Sequence, residues 1–356
     1  MKWEPDFNFL DEYFTKAYMG NISAQGARSV IAHKQVCKYG IDYLDDQLTA
    51  IHPNEIILIG ARSGVGKTTM VEHIITSNLD NGKKVAFFRL EGDATEFYDR
   101  QQYQMVKNMM KSDGKSTAFK FAEFRLGMTE DRTLKYENMA IDHLGKYLSN
   151  LHIYNNKIAM NNHALKHIID YTADAGIDLI VIDHIHYFDW EEGTKEFEEE
   201  KKAMKTLKKC AEINGVPIII VSHTRKGQGN IQKIVPDEDD YHGSSDKNKI
   251  AITSIMIGAF YSMYDEKNRI YATLIRILKS RNGASTNLVG LKLFDGHMNE
   301  YIDGYKVFTA NSLMGKEKQE ISSARDLNHV WNEGLKEWVA PKKTTQQSQG
   351  RKDTHG

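Results

Sequence analysis

Residues 56–69, IILIGARSGVGKTT, restrict what this chain can fold into more than any other stretch. Ile56 to Ile59 form an apolar run of the length of a buried strand. A glycine-rich turn follows, and Thr68, Thr69 and Met70 open a helical pattern. Ala61-Arg62-Ser63-Gly64-Val65-Gly66-Lys67-Thr68 fits the phosphate-loop pattern G-x-x-x-x-G-K-[ST] at every fixed position but the first, where Ala stands for Gly. Phosphates need donors that approach closely from several sides. Gly64 and Gly66 let the backbone turn its N–H groups inward, and the helix start adds the positive end of its dipole. Lys67 would reach the β- and γ-phosphates, and the Thr68 hydroxyl would ligate Mg²⁺. Ala61 through Thr69 are therefore the expected nucleotide site. A glycine turn before an ordinary surface helix is the blander alternative, and it leaves the order of strand, loop, GKT and helix unexplained.

Downstream, apolar runs alternate with amphipathic ones. Val85–Leu90 reads as a second strand after the Asn81-Gly82 turn, and 95–148 as mostly helical, broken near 112–116 and near Gly127. Leu151–Tyr154 is a brief strand, 161–175 a helix, and Leu179–Asp183 a strongly apolar strand. Residues 195–213 form a charged helix closed by Asn214-Gly215, followed by the buried strand Val216–Ser222. The polar stretch from Thr224 to about Lys249 reads as a loop, and Tyr271–Lys279 and Leu288–Phe294 as late strands joined by Asn282-Gly283. This alternation is the signature of an α/β fold with a mainly parallel sheet and helical crossovers. A chain of 356 residues holds one large domain with appendages, or two modest ones. The expected division is a helical arm and linker over 1–35, a core over 36–310, and an extension over 311–356 that is disordered from about 340. In the arm, Phe9, Leu10, Tyr13, Phe14, Ala17 and Tyr18 recur at helical spacing, a face to pack on its own domain or on a neighbouring subunit.

A formal net charge of −1 gives no global basic field, so any nucleic-acid contact must come from a local patch. Cys37 and Cys210 provide neither a disulfide framework nor a zinc spacing. With no apolar run of signal or membrane-spanning length, the expectation is a soluble, cytoplasmic protein with no membrane partner.

The chemistry concentrates where strands end. Asp183 closes LIVID, where a carboxylate beside a phosphate loop can hold the metal's water shell. Glu91 follows VAFFRL in the same way and is the candidate to orient and polarise an attacking water, with Glu96 and Asp93 as weaker ones. His223 closes IIIVSH and can donate to a γ-phosphate, although a lone histidine is as often only packed or exposed. Lys279 and Arg281, two apart before a turn, point the same way. They are either a solvated edge pair or cations offered to a phosphate on an adjacent subunit. Arg225, Lys226 and Lys233 sit among glycines and polar residues in a loop suited to a phosphate backbone, a commonplace composition by itself. His184 and His186 flank Ile185 without a metal-ligand partner pattern, so no zinc is assigned.

Together these motifs resemble the RecA-like motor domain of the replicative DnaB-type helicases of superfamily four, over roughly residues 38–300. A phosphate loop opening on Ala61-Arg62 is similar to that family's version. The resemblance implies that Glu91 is the catalytic glutamate, Asp183 the Walker B acid, and His223 the γ-phosphate sensor, where phage and mitochondrial relatives carry His and bacterial members usually Gln. Lys279 and Arg281 match the Lys-x-Arg pair that reaches a neighbour's nucleotide, and Arg225 to His242 the central-channel loop that grips single-stranded DNA. Asp237–Asp240 is an unusual acidic run for such a loop. The implied protein is a compact RecA-like P-loop NTPase without primase or large N-terminal domain. It would use ATP or dNTP with Mg²⁺, form a homo-oligomer, a hexameric ring, and unwind DNA in replication alongside a separate primase, loader or polymerase. Two alternatives share the core: a non-unwinding RecA-type ATPase acting in recombination or assembly, and a small-molecule phosphotransferase.

Overall fold

The computed structural model describes residues 36–62, 64–92, 94–154, 160–190, 193–224, 246–265, 270–281, 283–284, 286–309, 330–332 and 337–339. The expected N-terminal helix over 9–18 and the tail beyond 340 lie outside them.

Period-two burial on both faces builds the centre of the molecule. Ile57 and Ile59 of β1 (Ile56–Ala61) point into one core while Ile56 and Leu58 point into the other. The same division separates Val85 and Phe87 from Ala86 and Phe88 in β2 (Val85–Arg89), and Leu179 and Val181 from Ile180 and Ile182 in β4 (Leu179–Asp183). It separates Ile219 and Val221 from Ile218 and Ile220 in β5 (Ile218–His223). Strands buried on both faces need no polar positions, which is why they read as unbroken aliphatic runs.

Helices seal the two cores. Helix α1 (Asp42–Leu48) and helix α2 (Lys67–Asp80), through Met70, Val71, Ile74, Ile75 and Leu79, cover the first. Helix α3 (Ala94–Ser112) lends Phe97 to that core. With α4 (Phe121–Arg125) and α5 (Glu130–Leu148), α3 then makes a satellite cluster around Tyr103, Phe119 and Phe124. Helix α6 (Asn162–Asp174) and α7 (Glu196–Asn214) cover the second core with Leu165, Ile169, Ala203, Met204 and Leu207.

The nine-stranded sheet runs β3-β2-β4-β5-β1-β6-β7-β8-β9, with β3 at Leu151–Ile153. The pairings from β3 to β6 are parallel, and β6 (Thr253–Asp265), β7 (Ile270–Lys279), β8 (Leu288–Asp295) and β9 (Glu300–Thr309) continue as an antiparallel meander. Register places the strand ends side by side, Arg89 opposite Asp183 and Ala61 opposite His223. Sequence reading misses α1, the short α8 (Asp246–Ile250) and β9, and leaves β6 unassigned. Helices of seven and five residues leave too few turns for a periodic signal. β9 is an edge strand whose half-exposed residues are interrupted by Gly304. A separate hairpin pairs β10 (Val330–Asn332) with β11 (Glu337–Val339), inside the expected C-terminal extension.

Candidate nucleotide site at the carboxyl edge of the sheet

The turn between β1 and α2 depends on glycine. Gly64 and Gly66 have φ of 78° and 95°, a region that L side chains avoid, and Gly66 is the N-cap of α2. Lys67 and Thr68 are thereby delivered on the first turn of the helix. Lys67 is buried, and its Nζ donates to the Arg62 carbonyl at 3.4 Å and lies 2.9 Å from His223 Nδ1. Burial lowers its pKa, offset by the nearby carboxylates of Asp183 and Glu91. Thr69 is half-buried beside it, and Ser63 lies outside the described residues.

Thr68 Oγ1 donates to Asp183 Oδ2 at 3.2 Å, which joins the helix start to the end of β4. The other carboxylate oxygen, Asp183 Oδ1, is buried and has no hydrogen-bond partner. Burial raises the Asp183 pKa, against the hydrogen bond from Thr68 and the charge of Lys67. A buried anionic oxygen without a donor, next to a hydroxyl and a phosphate loop, fits a hard divalent cation such as Mg²⁺.

Glu91 sits one residue past Leu90, with its side chain more than half exposed, 55%. Its carbonyl is held by Arg89 Nε at 3.2 Å. The buried Arg89 guanidinium also pairs with Glu72 at 3.1 Å and Glu96 at 2.9 Å. Glu96 is bound again by Arg100 at 2.6 Å, so of the two described acids after β2 only Glu91 projects from the site edge. Asp93 lies outside the described residues.

His184 was not singled out as a site residue, yet it is central. Its Nε2 lies 3.2 Å from Glu91 Oε2 and 2.9 Å from His223 Nε2. Burial first, then the electrostatic influence of its neighbours, pushes its pKa down to about 3, so the ring is neutral. His186 accepts from the His223 backbone N–H through Nε2 at 3.2 Å, and its Nδ1 is 2.6 Å from Glu200. Glu200 is in turn 2.7 Å from the buried Lys247. Burial alone would raise the Glu200 pKa, but His186 and Lys247 hold it below the ordinary value. Sequence spacing gave these histidines no partners, whereas the fold gathers Glu91, His184 and His223, and His186, Glu196 and Glu200, into two groups with ligand-type atoms within 4.8 Å of one another. The partners come from other strands and helices, so no local motif announces them.

Lys279 and Arg281 are not at this edge. Lys279 pairs with Ser254, which is level with Leu58, and Arg281 lies beyond it toward the edge where β1 begins. The Lys279 ammonium donates to the carbonyls of Asn248, Lys249 and Ala251 at 2.9, 2.8 and 2.6 Å, gathering the end of α8. Arg281 is exposed. Arg225, Lys226 and Lys233 lie outside the described residues, in the segment that leaves β5 directly after the site. Among the described residues no helix is long and apolar enough to cross a membrane.

The DnaB-like helicase C terminal domain family is matched over residues 37–303. Among curated relatives, the replicative DNA helicase DnaB of Helicobacter pylori strain 26695 is 22% identical over 241 residues, 65% of this chain and 46% of that protein. The DNA helicase/primase of Enterobacteria phage T3 is 23% identical over 261 residues, 70% of this chain and 43% of that protein. This chain thus spans a little under half the length of these relatives. Among solved structures, the ATPase domain of G40P superposes with a TM-score of 0.60 at 17% identity, over 79% of this chain and 99% of that one. A DnaB-like replicative helicase, studied for its interactions with primase, superposes at 0.63 and 16% identity, over 83% and 70%. The fold is the RecA-like α/β ATPase core.

Proposed function

We propose, from the premise that this chain belongs to the DnaB-like helicase C terminal domain family, that it is an NTP-driven DNA helicase of replication, working as a ring on single-stranded DNA. One observation carries the reading. Lys67, Thr68, Asp183, Glu91 and His223, from four separate elements, meet at a single sheet edge. Phosphoryl transfer asks a protein mainly for positioning and charge, and this set supplies both. The backbone of 61–68 and the Lys67 ammonium hold the phosphates, Glu91 orients the attacking water, and His223 donates to the γ-phosphate. Thr68 and Asp183 would hold Mg²⁺, which when bound neutralises charge on the phosphate oxygens.

Lys279 and Arg281 complete the site of a neighbouring copy. Register supports this, because both lie toward the opposite edge from their own phosphate loop. Arg225, Lys226 and Lys233, in the segment that follows His223, contact the DNA backbone, so that loss of the γ-phosphate at the sensor is passed to the strand. A hexamer, and a separate primase, loader or polymerase, belong to the same reading.

Hydrolysis measured with and without single-stranded DNA, with solution mass read in parallel, tests it. Stimulation by DNA in a ring-sized oligomer, and strand displacement on a forked duplex that Glu91→Gln abolishes, are the expected results. Stimulated hydrolysis with no displacement would favour a non-unwinding RecA-type ATPase. A DNA-indifferent monomer would remove the motor altogether.

A further inference from the structure

Glu91 reaches the site from a turn, just past the end of β2. Its carboxylate meets the Tyr187 hydroxyl and the His184 ring, both from the segment that follows β4. These contacts act on the far end of a side chain that is otherwise more than half exposed. Where that side chain starts is decided by the main chain. Leu90 is still tied to the sheet, its N–H donating to the Asp183 carbonyl at 2.8 Å. Beyond Glu91 the chain turns through Gly92 with φ of 82°.

Arg89 grips this turn from inside the protein. It is the last residue of β2 and is buried, and each of its three nitrogens donates to a different element. Nε donates to the Glu91 carbonyl at 3.2 Å, Nη1 to Glu72 Oε1 of α2 at 3.1 Å, and Nη2 to Glu96 Oε2 in the first turn of α3 at 2.9 Å. Glu72 is itself buried, and it lies on the same helix as Lys67 and Thr68. Glu96 is fixed a second time, its Oε1 accepting from Arg100 Nη2 at 2.6 Å. A guanidinium is planar and rigid, so acceptors bound to its three nitrogens are fixed relative to one another. The phosphate-loop helix, the start of α3 and the carbonyl of Glu91 therefore keep one spacing. Gly92 suits this junction, since a Cβ there would lie 3.4 Å from Arg89 Nη2 on a backbone that L side chains avoid.

We propose that Arg89 is a positioning residue for Glu91: it ties the turn that bears this carboxylate to the helix that bears Lys67 and Thr68, and so sets the distance from the carboxylate to the γ-phosphate. The attacking water has to fit between those two groups. A misplacement of about 1 Å is enough to slow such a reaction about 100-fold. Tyr187 and His184 steady the carboxylate, and Arg89 fixes the point from which it reaches.

This inference rests on the nucleotide site and the role of Glu91 proposed above, and makes no use of DNA. Arg89→Lys keeps the charge beside Glu72 but offers a single ammonium, which cannot span three acceptors set around a plane. It should bind a fluorescent non-hydrolysable triphosphate within about twofold of the parent, yet hydrolyse ATP about 10- to 100-fold more slowly in a single turnover. In a Glu91→Gln background the same substitution should change the residual rate by about twofold at most, since the carboxylate it places is gone. A purely structural role would lower the rate alike in both backgrounds. Gly92→Ala, on the exposed turn, leaves the buried pair with Glu72 in place and disturbs the carbonyl that Arg89 holds. It should give the same pattern, and it decides the matter where Arg89→Lys does not fold. Parent-level hydrolysis by the folded variant, or equal losses in the two backgrounds, would overturn the positioning role alone. Full hydrolysis by Glu91→Gln would overturn the role of Glu91 and the positioning with it. Failure of the parent protein to bind the analogue would overturn the nucleotide site itself.

Discussion

Lys67 and Glu91 lie in one network, yet they answer to different tests. The ammonium of Lys67 serves binding, so Lys67→Met should weaken triphosphate affinity about 10- to 100-fold, the worth of one charged hydrogen bond, in a fluorescence titration. Glu91→Gln should leave that affinity unchanged and lower single-turnover hydrolysis about 10²- to 10⁴-fold. A pH effect belongs to Glu72, buried against Arg89. Burial raises its pKa from 4.5 to about 7 despite the charges of Arg100 and Arg89. Between those values the folded chain holds a proton that the unfolded chain has released, so this contribution to stability is complete below about pH 4.5 and is lost as pH rises through about 7. Urea midpoints of wild type and Glu72→Gln should therefore diverge across that window, with wild type falling relative to the variant as pH rises. Equal slopes would place the Glu72 pKa at its ordinary value. Asp183 and His223 were legible because each closes a buried apolar strand and Glu91 because it closely follows one, and strand ends in such sheets gather at one edge. Arg89 and His184 were not, because their meaning lies in partners 17 and 93 residues away in sequence.

Among the elements, the parallel strands and their crossover helices could be read directly, since burial on both faces keeps β1, β2, β4 and β5 apolar up to the polar residues at the carboxyl ends of β2, β4 and β5. The antiparallel half was read only in part, because β9 is half-exposed and carries a mixed pattern. The buried ion pair between α7 and α8 had no sequence signal at all. Lys247 and Glu200 are 0% and 1% exposed at the side chain. Removing one partner leaves the other charge buried, so Lys247→Met should cost about 3–5 kcal/mol in denaturant unfolding. Lys247→Met with Glu200→Leu should recover most of that, because two charges are then removed together. If the double variant is as unstable as the single one, Glu200 owes its place to His186 and the end of β5 rather than to Lys247.

At the scale of the whole molecule, the separation of Arg281 from the phosphate loop makes a prediction about mixtures. Arg281→Ala alone should lower DNA-stimulated hydrolysis roughly 10³-fold or more, the worth of an arginine supplied in trans. Mixing it with Lys67→Met should restore part of the activity, since some junctions then join an intact phosphate loop to an intact Arg281. No recovery on mixing would return Arg281 to a role within its own chain. The sheet that carries the loop toward one edge and the cations toward the other also gives the molecule a front and a back. Two different surfaces that fit each other cannot be satisfied by a pair, because the second copy always presents the same unmatched front as the first. Growth by such contacts ends only when the last front meets the first back, and otherwise it continues as an open filament. The rotation between neighbours, rather than any additional bond, then decides between a finite object and an endless one.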